Sequence, residues 1–388
     1  MDYRIENGTL TVELKGRLDS LSAPAAQAEI DALLDAENVK SMIADLDGLK
    51  YVASAGLRVF LHLKKRVGDF SVINVASDIY EVFEMTGFTE IMSVTKAYRR
   101  LPVEICEVIG RGAHGTIYRV NPEMIVKTAH NGSTLEEIDR ERELARSAFV
   151  LGIPTAISYD IVRTGNGYGA VYELLNAQTV ANILQADIGK MDECVALCAG
   201  LTKLIHATNA KKGEMPSAKE ALIWYLKTAS AALDEETAAK ITSLVTSLPD
   251  DTHVLHGDCH IKNVMVQNGE ALLIDMETLC CGHPVIELGY LYNAYRGYVE
   301  LDEKEGTEFI GLSARDAANF WSKFLALYLG TNDENVIKEV ENKARIVSYI
   351  RLLSHVLRHT GEEAGKEQIE YLKKNLRELA QTTDKLTW

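Results

Sequence analysis

The sequence lacks several things that mark whole classes of protein. It has no surplus of basic residues: 41 Lys and Arg stand against 56 Asp and Glu, a formal net charge of −15. A nucleic-acid binder needs a basic face to neutralise phosphates, so no nucleic-acid partner is expected. Docking on an anionic membrane is disfavoured for the same reason, whereas a cationic small substrate is compatible with the balance. No apolar run approaches the roughly 20 residues that cross a bilayer. The opening MDYRIENGTL has neither the basic nor the apolar region of a signal peptide. Together these place the chain in the cytoplasm, away from membranes, where thiols stay reduced. The six cysteines contain no Cys-x-x-Cys pair and complete no zinc site. Cys194 and Cys198 fall four apart in a helical pattern and read as packing. Repeats and low-complexity tracts are also missing.

What is present is ordinary for a globular chain: 47% apolar and 25% charged residues over 388 positions, room for two or three domains. The pattern changes near Arg99–Pro102. Before it, strands and helices alternate. Thr9–Leu14 has the period of a half-buried strand. Pro24–Asn38 reads as a helix, Ser41–Leu46 as a strand, Gly56–Arg66 as a helix, Ser71–Ala76 as a strand and Asp78–Met85 as a short helix ended by Gly87. This is a small α/β domain of about 100 residues. After Pro102 strands dominate: Val103–Ile109, Thr116–Val120, Met124–Lys127 and Ala170–Leu174, with one helix over Thr134–Val150. From Val180 the pattern is helical, interrupted by strand-like Val264–Gln267 and Ala271–Ile274. A five-stranded lobe followed by a helical lobe is the expectation.

Four features carry chemistry, in a meaningful order. Gly110-Arg111-Gly112-Ala113-His114-Gly115 is a GxGxxG between two strands. That context favours a hairpin whose Gly110, Gly112 and Gly115 let backbone N–H groups approach phosphates. Lys127 ends an apolar strand and suits the nucleotide phosphates, whose oxygens carry charge in the transition state. The helix that follows offers Glu141 and Glu143 as its carboxylate partner, and Glu143 is preferred. His256-Gly257-Asp258-Cys259-His260-Ile261-Lys262-Asn263 supplies Asp258 to orient an acceptor hydroxyl and Asn263 to bind a metal. A bare Asp-x4-Asn is common in polar turns. But Leu272-Leu273-Ile274-Asp275 follows, an apolar strand ending in a carboxylate, and Asp275 with Asn263 makes a sensible magnesium pair. Tyr290, Tyr292, Tyr295 and Tyr298 crowd one stretch. They read either as packing or as an aromatic cage for a quaternary ammonium group.

HGDCHIKNVMV followed by LLIDMET resembles the signature of the aminoglycoside phosphotransferase and choline kinase-like superfamily. The resemblance implies a two-lobed protein-kinase-like fold over residues 103–388, with an N-lobe to about 176 and a C-lobe from about 177. It implies Mg2+ and ATP, and transfer of a γ-phosphoryl group to an alcohol of a small-molecule acceptor. Asp258 then matches the catalytic aspartate, Lys127 and Glu143 the nucleotide-holding pair, Asn263 and Asp275 the metal ligands, and Tyr172–Asn176 the segment beside adenine. The aspartate that steadies the catalytic loop in that family is Glu287 here.

Residues 1–98 resemble the STAS domain of anti-sigma-factor antagonists, through Gly16-Arg17-Leu18-Asp19 and Val52-Ala53-Ser54-Ala55-Gly56-Leu57. Ser54 stands where that family is phosphorylated, with Ala53 in place of the usual aspartate, and is also placed to cap the following helix. The resemblance implies a protein partner. The expected architecture is thus an α/β STAS domain followed by an α+β kinase-like domain, a small-molecule kinase carrying a regulatory module. The alternatives are a signalling module that phosphorylates protein, with Ser54 as one target, or a nucleotide-sensing pseudokinase scaffold.

Overall fold

The computed structural model describes residues 1–36, 39–111, 115–129, 134–165 and 167–388. The chain divides into two compact units, residues 1–102 with 161–167, and residues 103–160 with 168–388.

In the first unit the strands Asp2–Glu6, Thr9–Glu13, Ser41–Asp45, Phe70–Val75 and Ser93–Lys96 lie side by side in that order. Only the first pair is antiparallel, closed by a tight turn at Asn7-Gly8; the later pairs are parallel, as helical crossovers require. Alternation explains the register: Leu10, Val12, Met42, Ala44 and Val72 point to one buried core with Ile30, Phe60 and Phe83 from the helices. The helices are Ala23–Ala36, Ser54–Val67, Ser77–Met85 and the short Phe88–Ile91. Asn38, included in the expected first helix, lies outside the described residues. Ser54 does not cap its helix. Ala53 holds the cap position in extended conformation with no side-chain bond, and Ser54 is the exposed first helical residue.

In the second unit the strands Gly167–Glu173, Met124–Ala129, Gly115–Arg119 and Glu107–Arg111 pair antiparallel in that order. Ser158–Thr164 is a further strand that the sequence pattern does not single out, and only its residues 158–160 fall in this unit. Val103–Ile109, expected as one strand, begins instead with a helical turn over Val103–Ile105, closed by Cys106 N–H donating to Val103 C=O at 3.0 Å. The helix Leu135–Val150 opens on a reciprocal capping box between Thr134 and Glu137. Beyond residue 180 helices prevail. Glu334–His355 packs against Val285–Tyr292 and Ala218–Ser230. A hairpin of Val264–Gln267 and Glu270–Leu273 brings the two polar motifs of the helical part together.

Candidate active site

Lys127 sits opposite Ile117 on one neighbouring strand and Ala170 on the other. Its Nζ lies 2.8 Å from Glu141 Oε1 and 2.7 Å from Asp275 Oδ1. Burial alone would lower the affinity of this amine for its proton. The two carboxylates outweigh that and hold its pKa above the ordinary lysine value. Tyr172 Oη donates to the same Glu141 oxygen at 3.3 Å.

The partner of Lys127 is therefore Glu141, not Glu143. Two residues turn a helix by about 200°, so the two glutamates face opposite ways. Glu141 shares a face with the buried Ile138, Ala145 and Ala148, while Glu143 pairs with Arg142 and stays on the outer side. The signal was in the helix: the apolar positions 138, 145 and 148 mark the inward stripe, and 141 falls on it.

Asp258 begins the loop that leaves the strand Val254–Leu255. Asn263 Nδ2 donates to Asp258 Oδ2 and to its backbone carbonyl, each at 3.0 Å. His260 Nε2 lies 3.3 Å from the same Oδ2. Burial pushes the Asp258 carboxyl towards its neutral form, but the bond from His260 and the charges of His260, His256 and Arg351 hold its pKa down at about 2. Because Asn263 spends its amide nitrogen on Asp258, its amide oxygen is left for another ligand. Ile274 N–H donates to Asn263 C=O at 3.0 Å, which fixes Asp275 beside Asn263. Asp275 itself is left-handed, with φ 65°, a costly backbone for a non-glycine residue that persists only where its surroundings impose it.

Glu287 organises the loop from behind. It is fully buried. Oε2 accepts from His256 N–H at 2.7 Å and Oε1 from Gly257 N–H at 2.8 Å, and His206 Nε2 lies 3.2 Å from Oε2. Burial raises the cost of its charge, but the His206 bond and charge and the His256 contacts more than offset it, so its pKa is lowered. Gly257 has φ +81°, and a Cβ there would come within 2.5 Å of Thr278 C=O. Only glycine fits. Thr278 Oγ1 in turn donates to His256 C=O at 2.8 Å. His260 and Thr278 fall inside the two quoted motifs without their positioning roles being readable there, and His206 carries no sequence signal. Cys259 is buried, and burial raises its thiol pKa well above the ordinary value, which suits a packing residue rather than a reactive one.

Some of these groups, though not Asp258 or Glu287, line a cavity of about 510 Å3. Lys127, Glu141, Asn263 and Asp275 line its polar end, and Ile125, Leu174, Met265 and Ile274 are among its apolar walls. Gly115 reaches the cavity as well. Gly110 lies opposite Ile117 in the neighbouring strand, and Gly112 lies outside the described residues. Among the described residues no cluster of three or more His, Cys, Asp or Glu converges to hold a metal by itself. No described helix is long and apolar enough to cross a membrane.

Residues 105–318 match the model of the phosphotransferase enzyme family. The chain belongs to that family. Residues 1–101 match the STAS domain. That part is 33% identical over 95 residues to a Bordetella bronchiseptica protein named "Putative anti-sigma factor antagonist BtrV", covering 24% of this chain and 81% of that one. It is 26% identical over 102 residues to the anti-sigma F factor antagonist of Paenibacillus polymyxa, covering 24% of this chain and 87% of that one. Similar solved structures include the streptomycin–ATP ternary complex of the aminoglycoside phosphotransferase APH(2")-IIa, with TM-score 0.49 and 14% identity over 77% of this chain and 97% of that one. Another is a choline/ethanolamine kinase family protein from Mesorhizobium loti, with TM-score 0.45 and 15% identity over 71% of this chain and 87% of that one. The chain thus has an α/β STAS domain followed by an α+β domain of the phosphotransferase enzyme family.

Proposed function

We propose that residues 103–388 move the γ-phosphoryl group of ATP to a hydroxyl of a small molecule, and that residues 1–98 regulate this or bind a protein partner. One observation carries the reading. A continuous set of contacts runs from Asp258 to Asn263 and on through Ile274 to Asp275, Lys127 and Glu141, and all of these but Asp258 line one cavity. Phosphoryl transfer requires these parts together: a cation for the phosphates, oxygen ligands for a metal and a carboxylate at the acceptor hydroxyl.

The donor set fits Mg2+. Asp275 offers carboxylate oxygen and Asn263 a spare amide oxygen, hard ligands that leave room for phosphate oxygens and water. When bound, Mg2+ neutralises developing charge on the phosphates. Lys127 binds the nucleotide phosphates, and Glu141 holds Lys127 extended into the cavity. The apolar walls near Leu174 receive the adenine. Asp258 is anionic at neutral pH and accepts a hydrogen bond from the acceptor hydroxyl. With a pKa of about 2 it is too weak a base to remove that proton early. It aligns the hydroxyl and takes the proton late, as the new P–O bond forms.

Ser54 is the proposed regulatory phosphosite. It is exposed at the first position of a 14-residue helix, where a phosphate gains roughly 0.3–1 kcal/mol from the helix end. A cytoplasmic setting belongs to the same reading. Incubation with Mg2+ and ATP, with and without hydroxylated metabolites, followed by mass spectrometry of protein and small molecules, tests it. A phosphorylated metabolite whose formation requires Asp258 supports the small-molecule reading. Phosphate confined to Ser54 favours the signalling alternative, and ATP binding without turnover favours a pseudokinase.

A further inference from the structure

Arg351 lies on the helix Glu334–His355, and Tyr290 on the helix packed against it. The guanidinium carbon sits 4.3 Å from the Tyr290 ring centroid and 5.9 Å from that of Tyr225. Arg358, seven residues on and on the same helical side, sits 4.3 Å over Trp224 and 5.6 Å from Tyr225. Among the described residues Arg351 makes no ion pair and no hydrogen bond. The Tyr290 hydroxyl is buried and has no hydrogen-bond partner. A largely desolvated guanidinium is normally paired, and a buried tyrosine O–H normally finds an acceptor. A guanidinium held by ring faces alone, beside a hydroxyl with no acceptor, leaves N–H and O–H donors for an oxygen anion.

The cluster is turned towards the chemistry. The charges of Arg351 and Asp258 act on each other. Asp258 acts on Arg351 and Glu287 on Tyr290, and the remaining acidic group is Glu305, which acts on His355 and Tyr298. It is exposed and forms no ion pair with Arg351. Of the two readings of this tyrosine stretch, packing holds for Tyr292 and Tyr295. Tyr295 is buried against Phe320, and Tyr292 donates to Glu300 at 2.6 Å. The face of Tyr290 is already covered by a guanidinium, which repels an ammonium ion.

We infer that the phosphoryl acceptor carries a carboxylate or phosphate group, gripped by Arg351 and the Tyr290 hydroxyl while its alcohol meets Asp258. This rests on the small-molecule reading above and narrows it to anionic acceptors, against the cationic substrate that the overall charge would permit. Two donors on one anion suit the forked geometry of arginine, which lysine does not reproduce.

The test is equilibrium binding by calorimetry on the full chain, using glycerate, glycerol 1-phosphate, glycerol and choline as probes. At least one anionic probe binds, and more tightly than glycerol or choline. Preference for glycerate assigns a carboxylate, and preference for glycerol 1-phosphate a phosphate. Arg351→Gln weakens the anionic probe at least about tenfold, Arg351→Lys restores part of the loss, and Tyr290→Phe weakens it severalfold. ATP titrated into each variant reports whether it is folded. Tighter binding of choline or glycerol overturns the inference, as does failure of both anionic probes or unchanged anion binding in Arg351→Gln and Tyr290→Phe. Binding needs no turnover, so an anion that binds but is never phosphorylated counts against the phosphotransfer reading alone.

Discussion

Replacing Glu287 isolates the support beneath the catalytic loop. The carboxylate is fully buried, accepts from two backbone N–H groups at 2.7 and 2.8 Å and faces His206 Nε2 at 3.2 Å. In Glu287→Ala both N–H groups lose their acceptor where water has little access. At about 1–3 kcal/mol for each buried donor left unsatisfied, and with a small cavity added, the loss is about 3–5 kcal/mol. That is within the 5–15 kcal/mol typical of a folded domain, so the protein still folds. Glu287→Gln keeps the volume but turns an NH2 towards one of the N–H groups, and costs about 2–3 kcal/mol. Glu287→Asp is shorter by one methylene and cannot reach both N–H groups, so it falls between wild type and Ala. Urea denaturation gives the stability change, and phosphotransfer rate reports the loop: kcat falls in all three because Asp258 is displaced. The pH dependence follows the sign of the shift. Glu287 has a lowered pKa in the fold, so its contribution is complete above the unfolded carboxyl range and fades as pH falls through the folded value. A loss below about 1 kcal/mol in Glu287→Ala, with kcat unchanged, would refute the reasoning.

Other consequences are direct. Glu141→Ala frees Lys127 and lowers kcat/KM for ATP on the order of tenfold to a hundredfold, while Glu143→Ala stays close to wild type; equal effects in steady-state assays would restore Glu143 as the partner. Asp258 remains ionised to about pH 2, so a carbon-13 carboxyl titration shows no Asp258 inflection between pH 4 and 8. Any stability its ionisation supplies is complete above the ordinary value of 3.8 and fades only towards 2; an inflection near 5 contradicts this. A Cβ at Gly115 would lie 2.1 Å from Thr128 C=O, so Gly115→Ala forces the two strands apart, lowers the melting temperature and weakens ATP binding; an unchanged melting curve would show that this close approach is not needed.

Elements whose pattern is local were readable from the residues alone. The alternation in Thr9–Leu14 and the helical spacing over Thr134–Val150 each end within about one residue of the observed element. The motifs around Asp258 and Asp275 were readable because an apolar strand brackets each polar loop. What stayed hidden depends on side chains meeting from distant segments. Glu143 was preferred to Glu141 because proximity in sequence says nothing about which helix face turns inward unless the apolar stripe is weighed. Ser54 looked like a cap because serine favours that position, yet the helix starts one residue earlier in register and Ala53 takes it. Arg351 and Tyr290 are 61 positions apart in chains of unremarkable polarity, and only packing of their helices leaves both donors without an acceptor.

In the proposed reaction Asp258 serves phosphoryl transfer from ATP to a small alcohol. The most direct measurement is phosphorus-31 NMR of wild type and Asp258→Asn with Mg2+, ATP and a panel of hydroxylated metabolites that includes the anionic acceptors. A new phosphate-ester resonance, with ADP released in equal amount and both lost in Asp258→Asn, is the expected result. An ester formed at the wild-type rate by Asp258→Asn would contradict it.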